Sequence, residues 1–110
     1  MIKSFRDKET EKKKPIHPGE ILLEEFLEPM GISQNLLARK TGMSPRRINE
    51  IVLGKRSITG DTAIRLGMLF GIEPEFWMNL QSRYDLEEAE DQFHSKVTIV
   101  VGRYKNLVKK

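Results

Sequence analysis

Residues 33–54 read SQNLLARKTGMSPRRINEIVLG, and their punctuation decides the fold. Ser33 and Ser44 stand eleven positions apart. Each hydroxyl can accept a hydrogen bond from an unpaired amide in the first turn of a following helix. Pro45 sits at a first helical position, where a missing amide hydrogen is no loss. Gly42 offers the left-handed conformation that ends the first helix without a Cβ penalty, and Gly54 offers the same stop to the second. Two short helices are therefore expected, joined through Thr41-Gly42-Met43.

The apolar spacing says how they meet. Leu37, Ala38 and Thr41 share one face of the first helix; Ile48, Ile51 and Val52 share one face of the second. Ala38 is small where the helices must cross closely, and a larger side chain there would overpack at roughly 1 to 3 kcal/mol. Helix, tight glycine turn and helix with inward apolar faces make a helix-turn-helix unit, whose core positions are Ala38, Gly42, Ile48 and Ile51. Arg46, Arg47, Asn49 and Glu50 have no apolar duty on the second helix.

Charge sharpens this reading. The 110-residue chain carries a net +3, yet residues 15–92 hold eight basic and thirteen acidic groups. Within that acidic middle, residues 33–56 place Arg39, Lys40, Arg46, Arg47, Lys55 and Arg56 against Glu50 alone, a local +5. A basic island on an acidic body concentrates attraction for a polyanion, which suits phosphate contacts to DNA. A merely solvated charged face is the competing reading.

Outward from the island, His17-Pro18-Gly19-Glu20 opens an earlier helix with Pro18 near its first position. Ile21, Leu22, Leu23, Phe26 and Leu27 give it a broad apolar face, and Pro29 and Gly31 end it. On the other side, Ile58 anchors a polar loop and Thr59 caps a fourth helix with Ala63, Leu66, Leu69 and Phe70 toward the core. Gly71 stops it, and Ile72 packs as a single apolar plug. Pro74 starts a fifth helix whose apolar side is Phe76, Trp77, Leu80 and Tyr84, with Trp77 read as core or as a dimer seam. The acidic run DLEEAED, residues 85–91, prolongs that helix. The expected class is all-α, a five-helix domain over 15–92 between a flexible charged tail at 1–14 and a C-terminal extension at 93–110. In the extension, KVTIVV at 96–101 has strand preference and is expected to pair with a partner protein or a second copy, against the alternative of a helical or loose end.

Several chemistries have no support. The chain has no cysteine, so thiolate zinc sites, iron-sulfur clusters and disulfides are excluded. Histidine pairs at metal-binding spacing are absent, His17 being read as a capping or boundary residue and the other, His94, lying in the tail. Glycine-rich phosphate loops, nucleophile elbows and paired carboxylates are missing, so neither catalytic residues nor a cofactor is expected. No apolar run approaches the roughly 20 residues of a membrane span, and the charged N-terminus has no apolar signal core. A cytoplasmic protein is the expectation.

With the residues so laid out, 15–84 closely resemble the lambda repressor-like helix-turn-helix proteins of the Xre class, and within them the HigA-type, or VapI-like, antitoxins. The resemblance rests on PIHPGEILLEEFLEPMGIS, on Ala38, Gly42, Ile48 and Ile51, on GKRSITGDTAIRLGMLFG and on PEFWMNLQSRYDL, four blocks in order over about two thirds of the chain. It implies a third helix that enters the major groove and a homodimer on double-stranded, palindromic operator DNA. It also implies a HigB-type mRNA-cleaving toxin as protein partner, neutralised while the shared operon is repressed. Carried over by residue, Gln34 is similar to a phosphate and register contact. Ser44, Arg46, Arg47 and Asn49 resemble the groove-facing set, and Lys55 and Arg56 the loop that flanks the backbone. Glu73 departs from the serine or threonine cap that relatives often carry before Pro-Glu-Phe-Trp, and many relatives lack the strand-like extension. A stand-alone Xre-type regulator without a toxin, and a protein-binding adaptor that kept the fold, are the alternative functions.

Overall fold

The computed structural model describes residues 14–93. Residues 1–13 of the expected charged tail and the strand expected at 96–101 lie outside the described residues. Among the described residues there are five helices and no strand. They fall into two compact units, one ending at Arg56 and one beginning at Ser57.

In the first unit, helix α1 spans 18–30. His17 caps it, its Nδ1 accepting from the Gly19 amide at 2.8 Å, and Pro18 occupies the first turn. The middle of α1, Leu22–Leu27, is π-helical, and the Glu28 amide donates to the Leu23 carbonyl five residues back. Bonding at that interval brings residues five apart toward one face, so Leu22 and Leu27 both bury. Pro29 does not end the helix. It lies in the last stretch, Glu28–Met30, having no amide to donate to the preceding turn, and the stop comes at Gly31 with φ 66°.

Helix α2, Gln34–Thr41, begins where Ser33 Oγ accepts from the Leu36 amide at 3.0 Å. It buries Leu37, Ala38 and Thr41, and the Thr41 hydroxyl donates to the Leu37 carbonyl at 2.7 Å. Gly42, at φ 75°, turns the chain so that the Met43 amide donates back to the Ala38 carbonyl at 3.0 Å. Met43 thereby becomes core, which the spacing of α2 alone did not indicate. Helix α3, Pro45–Val52, is capped by Ser44 Oγ accepting from the Arg47 amide at 3.1 Å. Ile48 and Ile51 are fully buried and Val52 is half-buried. After α3, Gly54 takes φ 78° and the Lys55 amide closes onto the Glu50 carbonyl at 2.8 Å.

The first turn of α1 lies against the end of α3. A Cβ on Gly19 would fall on the Ile51 carbonyl oxygen, and Gly54 faces the His17 ring. Glycine at 19 is what lets the two backbones approach, and this approach helps set α3 in place.

In the second unit, helix α4, Gly60–Phe70, starts where Thr59 Oγ1 accepts from the Thr62 amide at 3.4 Å. It buries Thr62, Ala63, Leu66 and Gly67. Leu69, expected toward the core, is exposed, while Gly67 is buried with the Ile72 carbonyl packed against it. Gly71 ends α4 at φ 71°. Helix α5, Pro74–Gln92, runs through the acidic stretch, and Glu73 gives it no side-chain cap. Trp77 is fully buried, with Phe76 edge-on at 5.0 Å and Phe70 at 6.5 Å. Phe76 itself is exposed, Leu80 and Tyr84 are half-buried, and Trp77 is the fully buried member of the expected apolar side. Beside it sits buried Gln81, whose Oε1 accepts from the Ile58 amide at 2.7 Å while its Nε2 donates to Asp85 at 2.9 Å. Among the described residues, no helix is long and apolar enough to cross a membrane.

Candidate nucleic-acid interface

The apolar seam of α2 and α3 turns the remaining residues of α3 outward. Ile48 and Ile51 face the core, which leaves Ser44, Arg46 and Asn49 exposed along the other side and Arg47 half-buried. The serine cap fixes where α3 begins, and its oxygen is spent on the Arg47 amide. Ser44 thus retains a hydroxyl hydrogen to offer outward.

Gln34 and Asn49 come together. Asn49 Nδ2 donates to Gln34 Oε1 at 3.2 Å, joining the first turn of α2 to the outer side of α3 across fifteen residues of sequence. Asn49 keeps its carbonyl oxygen and one amide hydrogen, the donor and acceptor pair that matches adenine N6 and N7.

A second cluster forms around Glu50. Its Oε2 accepts from Arg46 Nε at 3.0 Å, and its Oε1 accepts from Arg56 Nε at 2.9 Å and from Arg56 Nη2 at 2.7 Å. One carboxylate therefore bridges α3 to the loop that follows it. The Arg46 side chain remains 85% exposed while that of Glu50 is 25% exposed. The bonds from Arg56, then from Arg46, hold the Glu50 carboxyl below its ordinary range.

Lys55 is exposed on the same loop, and Arg39 and Lys40 are exposed at the last turn of α2, where cations favour the helix dipole. Ala38, Ile48 and Ile51 lie in the core beneath, and Gly42 turns the chain between the helices. The structure thus assembles Gln34 with Asn49, and Arg46 with Arg56. What the sequence reading passed over is the role of Glu50. Its spacing of four from Arg46 was the available signal; its reach to Arg56 needed the loop's path.

His17 is committed to its cap, and among the described residues no group of three or more His, Asp or Glu side chains is arranged to hold a metal ion.

Residues 23–77 match the helix-turn-helix family model HTH_3. The chain is 51% identical over 86 residues to virulence-associated protein I of Dichelobacter nodosus, covering 78% of this chain and 79% of that one. It is 35% identical over 96 residues to antitoxin HigA-1 of Vibrio cholerae, covering 87% and 90%. Among solved structures it is similar to Pseudomonas aeruginosa antitoxin HigA with the higBA promoter, at a TM-score of 0.74 and 46% identity over 76% of this chain and 91% of that one.

Proposed function

We propose, since the chain belongs to the HTH_3 helix-turn-helix family, that it is a DNA-binding antitoxin that represses its own operon. The observation that carries the reading is the outer side of α3, where Ser44, Arg46 and Asn49 stand exposed above a buried isoleucine seam. Arginine can bond guanine O6 and N7 in pairs, and asparagine can do so with adenine. Gln34, Lys55 and Arg56 flank that row and suit phosphate contacts, which fix register without reading sequence. The similarity to a HigA antitoxin solved with its promoter supports DNA as the partner.

The protein acts as a homodimer on a palindromic operator, since a two-fold protein reads two half-sites. Exposed Met78 and Leu86, two turns apart on α5, suit such a seam. It neutralises a HigB-type toxin encoded beside it; relatives named as HigA antitoxins support this assignment.

The test is selection of duplexes from a randomised pool, followed by titration of the selected site. The expected result is a palindrome bound far more tightly than its shuffled form. Arg46→Ala and Arg47→Ala separate two roles: a base reader loses about 1 to 3 kcal/mol with relaxed specificity, and a phosphate contact loses affinity uniformly with a shallower salt slope. If no sequence is selected, the DNA reading is wrong. Co-purification with the product of the adjacent reading frame tests the toxin arm, and its failure leaves a stand-alone regulator.

A further inference from the structure

Glu50 is the one acidic residue among the six basic residues of 33–56, and it is not a spare surface charge. Both of its oxygens are occupied, one by Arg46 of α3 and the other by Arg56 of the following loop. A carboxylate with both oxygens engaged has little left to accept from cytosine N4, so Glu50 is poorly placed to read a base itself. It sits where an anion such as a phosphate would sit, gripped from two elements. Its grip on Arg46 uses Nε, which leaves both terminal nitrogens of that guanidinium for an outside acceptor. Arg56 commits Nε and one terminal nitrogen to the same carboxylate.

We propose that Glu50 is a specificity-determining residue of the DNA-reading surface: it holds Arg46 in a reading pose and withdraws part of the pull that Arg46 and Arg56 would exert on any phosphate backbone. The inference rests on the DNA-binding reading above. Non-specific binding is almost wholly electrostatic, whereas specific binding also needs a side chain held at a base edge. A carboxylate shared by two arginines weakens the first and supports the second. Removing it is therefore expected to move the two affinities in opposite directions.

The experiment compares wild type with Glu50→Gln on two probes, the duplex selected from the randomised pool and its shuffled counterpart, across a salt series. Glu24→Gln, which removes the same unit charge from an exposed position on α1, is the control. Circular dichroism and thermal unfolding report whether each variant is folded. The expected outcome for Glu50→Gln is tighter binding to the shuffled duplex, a salt slope steeper by about one on that probe, and a specificity ratio reduced by about tenfold. Glu24→Gln is expected to leave the ratio unchanged. Three results would overturn the inference. Equal changes in both variants would mean that net charge, not the bridge, matters. A uniform loss on both probes by a folded Glu50→Gln would mean a merely structural role. An unchanged ratio would mean that the arginines do not depend on Glu50. A wild type that prefers neither probe would instead remove the DNA reading on which the inference stands.

Discussion

At Gly19 one hydrogen atom decides whether two helices meet. A Cβ there would fall on the Ile51 carbonyl oxygen, and backbone cannot rotate away as a side-chain tip can. Gly19→Ala is expected to lower stability by about 1 to 3 kcal/mol in urea denaturation. Gly60 is the contrast, since its Cβ would meet nothing within 4 Å and its φ is not positive. Gly60→Ala is expected to be neutral or to stabilise by about 0.4 to 1 kcal/mol, by restricting the unfolded chain. If both variants behaved alike, the close approach of α1 to α3 would not exist in solution. Glu50 allows a second check at this scale. Its carboxyl is held below its ordinary value of 4.5, by Arg56 first and Arg46 second. A depressed folded value means that the bridge contributes stability above the unfolded value, and loses it as pH falls through the folded one. An NMR titration of the Glu50 side-chain carbon is expected to give a midpoint below 4.5, rising more in Arg56→Ala than in Arg46→Ala. A wild-type midpoint at or above 4.5 would mean that the bridge does not persist.

At the scale of elements, the starts of helices α2, α3 and α4 are set by single oxygens. Ser44→Ala removes the acceptor for the Arg47 amide and is expected to cost about 1 kcal/mol, read by thermal unfolding. Gln81→Leu tests a less obvious support. It leaves the buried Ile58 amide without its acceptor, at an expected cost of about 1 to 3 kcal/mol. A neutral result in Gln81→Leu would mean that water takes over the Ile58 amide. These two residues also mark what the sequence could and could not disclose. Ser33, Gly42, Ser44, Thr59 and Gly71 act through neighbours two to five positions away, so their roles were readable in the chain. Gln81 acts on a residue 23 positions away, and nothing local distinguishes it from a solvated glutamine. The π-helical stretch of α1 escaped for another reason. The spacing already put Leu22 and Leu27 on one broad apolar face, but nothing in it shows the five-residue bonding that brings the two into line. Gly67 is buried because the Ile72 carbonyl approaches it too closely for a side chain, a contact that the spacing of large apolar residues does not reveal. In the candidate interface the residue types were legible from composition, but their pairing was not. Gln34 with Asn49, and Arg46 with Arg56 through Glu50, join parts of the chain that only the fold brings together.

At the scale of the whole molecule, charge is divided by segment rather than spread. Residues 15–92 carry thirteen acidic against eight basic groups, while 93–110 carry five basic and none acidic. Among the described residues the last of the five helices ends at Gln92, its C-cap residue Phe93 donating its amide to the Ala89 carbonyl. Deleting 93–110 is therefore expected to leave the helical circular dichroism signal per helix and the unfolding transition largely intact. Two functions could still depend on the deleted part, and they separate by salt. If its five cations touch DNA, the truncated chain binds the selected duplex with a salt slope shallower by up to about 4 to 5. If KVTIVV instead pairs with a protein edge, the slope is unchanged and capture of the toxin or of a second copy is lost. The second outcome is the one expected. β-branched residues at 97, 98, 99, 100 and 101 suit a strand that needs a partner for its backbone groups, whereas phosphate contact alone would require none of them. A truncated chain that still retained its partner in a pull-down, with its DNA slope also unchanged, would remove both roles from 93–110. Toxin neutralisation would then have to be sought on the helices themselves.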